Sequence, residues 1–446
     1  VLAIKVVSLL RAAVLATNPY WPFKRINRLP YHLAIVAFTH LCGRFKEVNA
    51  AYVRHSLVLG EWTPGLSDID LTIILRDGMS SKEDYSFYDR FFRQYLRMKH
   101  LLPMLGEVEV MDERQFRIWQ RFGFRGRWAI SWRLVFGLEC RQITPSVPFV
   151  ERERELLDEA FGLYEGLYLP KMEEGGNETR GGALRLGGKI VSVLGGPMGT
   201  GGLVDEVVSS LDDACRRYIG EDARSEDAME VKVECDEFHI SVKWDGIREY
   251  IAYHSGAVKD VICMPLDNCL GPQYYIILEG GITSDVILEV LKSFPYKPRM
   301  VLTEGMFQYL LRYNRPLEYF LLRDCGVCAE GGVDDYCLTG PSSRDVYYSV
   351  TFNAVRLSVL YRSFVGGPAE FDNIGYVLSF IRAKHYLECM KIEAGNILEL
   401  AEKWYPQLRG DLKRVFDSGS ASQADRFALT RGIVEDVLAL VDVNRL

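Results

Sequence analysis

Ala51-Tyr-Val-Arg-His-Ser-Leu-Val-Leu-Gly-Glu-Trp-Thr-Pro-Gly-Leu-Ser-Asp-Ile-Asp-Leu-Thr-Ile-Ile-Leu-Arg76 sets two apolar runs on either side of a turn-rich segment, Gly60 to Ser67. The second run opens with two carboxylates, Asp68 and Asp70. Successive side chains of a strand point to opposite faces, so residues two apart share a face. Asp68 and Asp70 are therefore expected side by side at the start of a strand, just after a loop. Paired acids there are costly to desolvate unless a cation neutralises them.

Working outward, Leu33, Val36, Ala37, His40 and Leu41 share a helical face, which predicts a helix over His32–Val48 ahead of the first strand. Residues 1–17, broken at Pro19 and Pro22, read as a further amphipathic helix. Beyond the second strand, Ser80 and Ser81 offer a cap for a helix over Glu83–Leu102, rich in Tyr and Phe and stopped by Pro103 and Gly106. Glu107-Val108-Glu109-Val110-Met111 alternates acids with aliphatics, the mark of a strand, and helices are expected at 112–122 and 126–138. This order predicts a compact α/β unit with its acids converging at one edge of a sheet.

The remainder is read as a helix over Val150–Leu167, a connector over 175–202 holding eleven glycines, and a mixed α/β middle with strands at 238–244, 261–263 and 274–278. Helices are expected at 204–218, 283–293 and 304–313, and again at 345–364, 373–386, 396–404 and 424–443. The domain reading is 1–145 for the acidic α/β unit, 146–202 for a helix and connector, 203–300 for a mixed middle domain and 301–446 for a helical end. Gly187-Gly188-Lys189 fails as a phosphate-binding P-loop, because Ala183 holds the first Gly position and Ile190 the Ser/Thr position. Cys325-Gly-Val-Cys328 has no second pair and no nearby His to complete a zinc site. No internal repeat stands out in the sequence.

The 446 residues carry a net charge of −7. That balance argues against an extended nucleic-acid partner, which calls for a basic stripe. The apolar stretch from Val6 to Ala16 contains Arg11 and is too short to span a bilayer, and no cleavable leader is evident. Ten dispersed cysteines read as reduced thiols of a cytoplasmic protein with no membrane partner.

The pattern Arg54-His55-Ser56, then Gly60, then Ser67-Asp68-Ile69-Asp70-Leu71, with Glu109 on a later strand, resembles the nucleotidyltransferase superfamily that includes DNA polymerase beta. The likeness covers roughly residues 30–140 and is closest to the small-molecule and minimal members. It implies a nucleotidyltransferase-like α/β domain at the N-terminus, followed by the mixed α/β middle and helical C-terminal regions. It also implies that Asp68, Asp70 and Glu109 bind two Mg2+ ions and act as the catalytic set, with Glu107 on the same face in reserve. Ser56 is then a donor to the triphosphate, with Arg54, His55 and Ser67 beside it. The family's Gly before that Ser is His55 here, and a side chain at this position hinders close approach of phosphate to backbone.

On that resemblance the expected activity is transfer of a nucleoside monophosphate, AMP foremost, from a nucleoside triphosphate, ATP foremost, to a hydroxyl. The acceptor is then a small molecule or a protein side chain, and pyrophosphate is released. Hard cations prefer carboxylate oxygens, which fits the acid set independently. A non-catalytic nucleotide-binding or regulatory module is the alternative, with His55 as its sign. Trp62 reads either as a packed loop anchor or as a platform for a ring.

Overall fold

The computed structural model describes residues 13–14, 16–18, 20, 22–54, 56–59, 62–65, 67–121, 131–141, 152–174, 177–195, 204–222, 232–235, 244–264, 272–280, 284–336, 340–364, 374–389, 391–394 and 422–441. The protein is mixed α/β and mostly helical, with two four-stranded mixed sheets and a two-stranded parallel pair. It divides into two compact units. The first comprises Val1–Pro148, Asn353–Phe380 and Gly410–Ala439; the second comprises Phe149–Phe352, Ile381–Arg409 and Leu440–Leu446. Among the described residues no helix is long and apolar enough to cross a membrane.

In the first unit, helix α1 (Phe23–Cys42) leads into β1 (Val48–Val53), a single turn α2 (Ser56–Leu59) and β2 (Ile69–Leu75). Helix α3 (Ser81–Leu101), β3 (Leu105–Asp112), α4 (Glu113–Arg121) and β4 (Arg133–Gly137) follow. The sheet order is β3-β2-β1-β4, with β1 antiparallel to β2 and β4, and β2 parallel to β3. A parallel pair needs a crossover, and α3 supplies it. That helix starts at a reciprocal cap: Glu83 N donates to Ser80 Oγ and Ser80 N to the Glu83 carboxylate. Its buried stripe Phe87, Phe91 and Tyr95 packs on Phe38 and Phe45, with ring centroids 5.5–6.4 Å apart.

The second unit opens with α5 (Arg152–Leu163), which continues through a wider turn at Tyr164–Tyr168 into α6 (Leu169–Glu174). Then come α7 (Asn177–Val193), α8 (Val204–Asp222), β5 (Lys232–Cys235) and α9 (Trp244–Tyr253). A second sheet is built from β6 (Val258–Met264), β7 (Gln273–Leu278), β8 (Met300–Thr303) and β9 (Val327–Cys328). Between them run α10 (Ser284–Ser293), α11 (Glu304–Tyr309) and α12 (Pro316–Cys325). Its order is β8-β7-β6-β9, with β6 antiparallel to β7 and β9, and β7 parallel to β8. The C-terminal elements are α13 (Ser343–Phe364), α14 (Ile374–Cys389), β10 (Lys391–Ala394), which pairs in parallel with β5, and α15 (Gln423–Leu440).

Several expectations need correction. The helix ahead of β1 spans Phe23–Cys42 and contains Pro30, and Val48 belongs to the strand. In place of a helix over 126–138, residues 133–137 form β4, because Leu134 and Phe136 take up the open hydrogen-bonding edge of β1. The expected glycine-rich connector contains α7, whose Ala183, Ile190 and Val191 are buried. Burial of that face outweighs the roughly 1 kcal/mol helical cost of each glycine. Gly106 does not stop the preceding helix; it lies inside β3. The thiols are not all reduced: Cys325 is disulfide-bonded, while Cys42, Cys140, Cys215, Cys263 and Cys328 are free. The strand expected at 238–244 ends in a helical Trp244, and its residues 238–243 lie outside the described ones, as do residues 1–12 and the helix expected at 396–404.

Candidate functional site

At one end of the first sheet, β1 finishes where β2 and β3 begin. Arg54 N donates to the Asp70 carbonyl at 2.9 Å, and Ile69 N to the Met104 carbonyl at 2.7 Å. The parallel register sets Leu71 against Val108 and Thr72 against Glu109, with an irregularity between Ile69 and Leu71. That extra residue in β3 brings Gly106 under the acids. A Cβ on Gly106 would lie 2.9 Å from Asp70 Oδ1, 3.1 Å from Asp68 Cβ and 3.1 Å from the Ile69 carbonyl oxygen. Gly106 is therefore the floor on which Asp68 and Asp70 rest, and its carbonyl is held from below. Tyr95 Oη donates to it at 2.9 Å and Lys99 Nζ at 3.0 Å.

Four carboxylates meet here: Asp68, Asp70, Glu107 and Glu109. Asp68 and Glu107 are exposed, whereas Asp70 and Glu109 are half-buried. Beside them lies the Arg54 guanidinium, 5% exposed, whose Nη1 is 2.6 Å from Glu109 Oε2. Arg54 also stands over the Trp132 ring at 5.8 Å. Burial raises the Asp70 pKa; Arg54 partly offsets this, while Glu107, Asp68 and Glu109 push it further up. Burial likewise raises Tyr95, with Asp70, Asp68 and Glu107 adding to the effect. Four carboxylates against two cations, Arg54 on Glu109 and Lys99 on the Gly106 carbonyl, leave these described groups net negative.

Upstream, the loop is tied to α1. Tyr31 Oη donates to the Ser67 carbonyl at 2.8 Å and accepts from Gly65 N at 2.9 Å. Ser67 Oγ accepts from Thr63 N at 3.0 Å, so its hydroxyl serves the turn. Trp62 packs against Tyr31 with ring centroids 4.7 Å apart, and Arg28 lies 5.2 Å over its ring, which is the geometry of an anchor. Ser56 begins the short α2 directly after Arg54 and residue 55. His55 and the side chain of Ser56 lie outside the described residues.

The structure thus brings together Asp68, Asp70, Glu107, Glu109 and Arg54. Glu107 is the first of the carboxylates acting on Asp70, and Glu109 is the one tied to Arg54. Sequence reasoning missed Gly106, Tyr95 and Lys99. A glycine breaking an alternating strand was the available signal, since it marks a bulge or a close approach. A hard cation such as Mg2+ suits a donor set made only of carboxylates with surplus negative charge. Among the described residues, however, no three His, Cys, Asp or Glu side chains are arranged to hold a metal ion as they stand. No protein-family model, no curated protein and no solved structure matches the chain.

Proposed function

We propose that this sheet end is a Mg2+-dependent nucleotidyl-transfer site, as the resemblance of Arg54 to Glu109 implies. The carrying observation is that Asp68 and Asp70 rest on Gly106 while Glu107, Glu109 and the buried Arg54 all act on Asp70. When bound, Mg2+ supplies charge neutralisation for the triphosphate and for the departing pyrophosphate. Asp70 on β2 and Asp68 just ahead of it would hold it, with Glu107 or Glu109 across the strand pair. Their surplus negative charge and the half-buried Asp70 support that fit. Arg54 would exchange its Glu109 partner for a phosphate oxygen, which frees the Glu109 carboxylate. The acceptor hydroxyl oxygen bonds to the α-phosphorus as the bond to pyrophosphate breaks. The hydroxyl's proton passes to the carboxylate face and on to water.

One observation favours the non-catalytic alternative: Glu109 is already engaged by Arg54, and among the described residues no metal-ready triad stands assembled. The two readings part in a single pair of measurements. Incubation with each nucleoside triphosphate, Mg2+ and pooled small-molecule and protein acceptors should release pyrophosphate. Asp70→Asn should cut that release by about 100-fold or more, the scale for losing a group that stabilises charge in a transition state. Calorimetric binding of nucleotide with Mg2+ but no release supports the binding module. Absence of both overturns the site.

A further inference from the structure

The second sheet repeats the first strand for strand. Both have the order fourth-neighbour, antiparallel pair, parallel edge: β4-β1-β2-β3 and β9-β6-β7-β8. Each is led by a helix, α1 or α9, and each crosses between its parallel strands by a helix, α3 or α10. The likeness extends to a defect. The β1–β2 register slips between Val48 and Ala50, opposite Leu75 and Ile74; the β6–β7 register slips between Val258 and Asp260, opposite Leu278 and Ile277. Bulges of this kind are specific features of a strand pair, not a consequence of topology.

Alignment on that slip sets Val48 with Val258, and Ile73-Ile74-Leu75 with Ile276-Ile277-Leu278. The other pairings extend the alignment to the outer strands. Thr72 faces Glu109 as Tyr275 faces Met300, and Val53 faces Arg133 as Cys263 faces Val327. Val110 then matches Val301, and Asp112 matches Thr303. Asp112 and Thr303 each cap a helix that starts at the next residue, Glu113 or Glu304. Gln115 N donates to Asp112 Oδ1 at 2.7 Å and Met306 N to Thr303 Oγ1 at 3.3 Å. Phe116 and Phe307 follow at matching places, both fully buried.

The charged positions do not match. Arg54 corresponds to Met264, Asp70 to Gln273, Glu107 to Pro298 and Glu109 to Met300. Met264, Tyr275 and Met300 are buried. Tyr275 Oη donates to Glu318 Oε2 at 2.7 Å, Arg315 Nη1 lies 3.3 Å from Glu318 Oε1, and Arg315 also pairs with Glu165. Glu165 in turn lies 3.2 Å from Arg299. Where the first sheet end gathers four carboxylates beside Arg54, the matching positions of the second hold apolar side chains and an ion network of Arg299, Glu165, Arg315 and Glu318.

We infer that residues 244–328 are a diverged second copy of the unit formed by residues 23–137, closed at the sheet end where the first copy is open and acidic. The chain then holds one charged sheet end and one plugged counterpart, so metal and nucleotide are confined to the first. That confinement rests on the function proposed above; the closure stands without it.

Carboxyl labelling of the full chain with a carbodiimide and an amine, read by mass spectrometry, tests both parts. Asp68 and Glu107 should be modified about tenfold faster than Glu165 and Glu318, which are ion-paired and largely out of water. Adding Mn2+ and ATP should slow the carboxylates of the first sheet end, Asp68 and Glu107 most visibly, and leave Glu165 and Glu318 unchanged. With the contrast in rates intact, failure of Mn2+ and ATP to slow any carboxylate counts against the proposed function while supporting the closure. Equal rates at Glu318 and Asp68, or slowing of a carboxylate between Val258 and Glu304, overturns the inference. So does an experimental structure in which β6–β9 fail to superpose on β1–β4 in this alignment.

Discussion

Asp70 sits in an electrostatic conflict that the fold tolerates rather than resolves. Burial raises its pKa, Arg54 relieves part of the effect, and three neighbouring carboxylates restore it. A carboxyl whose folded pKa exceeds its unfolded value, near 3.9, binds more protons in the native state than in the unfolded chain. Stability therefore falls as pH rises from about 4 through the raised folded value. Asp70→Asn removes the charge and keeps the shape. It is expected to raise the Tm of the first unit at pH 7, by about 2–4 °C for each kcal/mol relieved, and to show no gain below pH 4. Thermal melts of both proteins at pH 4 and 7 check this. A site residue whose removal stabilises the fold while abolishing transfer separates function from packing; a lower Tm at pH 7 would show that Asp70 is structural.

At the scale of elements, the sequence was readable where packing and local chemistry agree. Helix α3 announces itself through Ser80, Glu83 and a stripe of aromatics, and it forms within two residues of its expected bounds. Strand β2 likewise follows from its apolar run and its two leading acids. Strand β4 was not readable, because five residues with an exposed Arg133 and Gly137 carry little pattern, and their strand character comes from pairing with β1. Helix α7 was hidden by its glycines, and Gly106 by its place beside a helix end. The stripe on α3 also yields a test. Phe91 is fully buried against Phe38, Phe45, Phe87 and Tyr95. Phe91→Ala should cost about 3–5 kcal/mol. Leu101→Ala on the same helix, at 82% exposed, should stay within about 0.5 kcal/mol. Urea unfolding followed by fluorescence compares them, and equal costs would place the core elsewhere.

At the scale of the whole molecule, the first unit is closed by the end of the chain. Phe427 on α15 is fully buried, with its ring 5.6 Å from Tyr85 and 6.0 Å from Tyr88 of α3. Arg431, one turn on, reaches the Met79 carbonyl, and its Nη1 lies 3.3 Å from Asp84 Oδ2, a carboxylate with no solvent exposure. No local pattern near residue 84 announces a partner about 350 residues away, which is why a reading in sequential domains could not find it. The duplication was hidden for a related reason: what the copies share is a register slip and a cap, while the residues that drew attention in the first are replaced in the second. Removing one member of a buried ion pair costs about 3–5 kcal/mol, because the other charge stays desolvated. Arg431→Ala should therefore destabilise the first unit by that amount and leave the second unchanged. Five of the seven tryptophans, at 21, 62, 119, 128 and 132, belong to the first unit, against Trp244 and Trp404 in the second. Tryptophan fluorescence should accordingly report an early transition in the variant, while calorimetry still shows a later one at its original temperature. Equal displacement of both transitions would mean that the two units unfold as one, and no displacement would mean that α15 does not close the first unit.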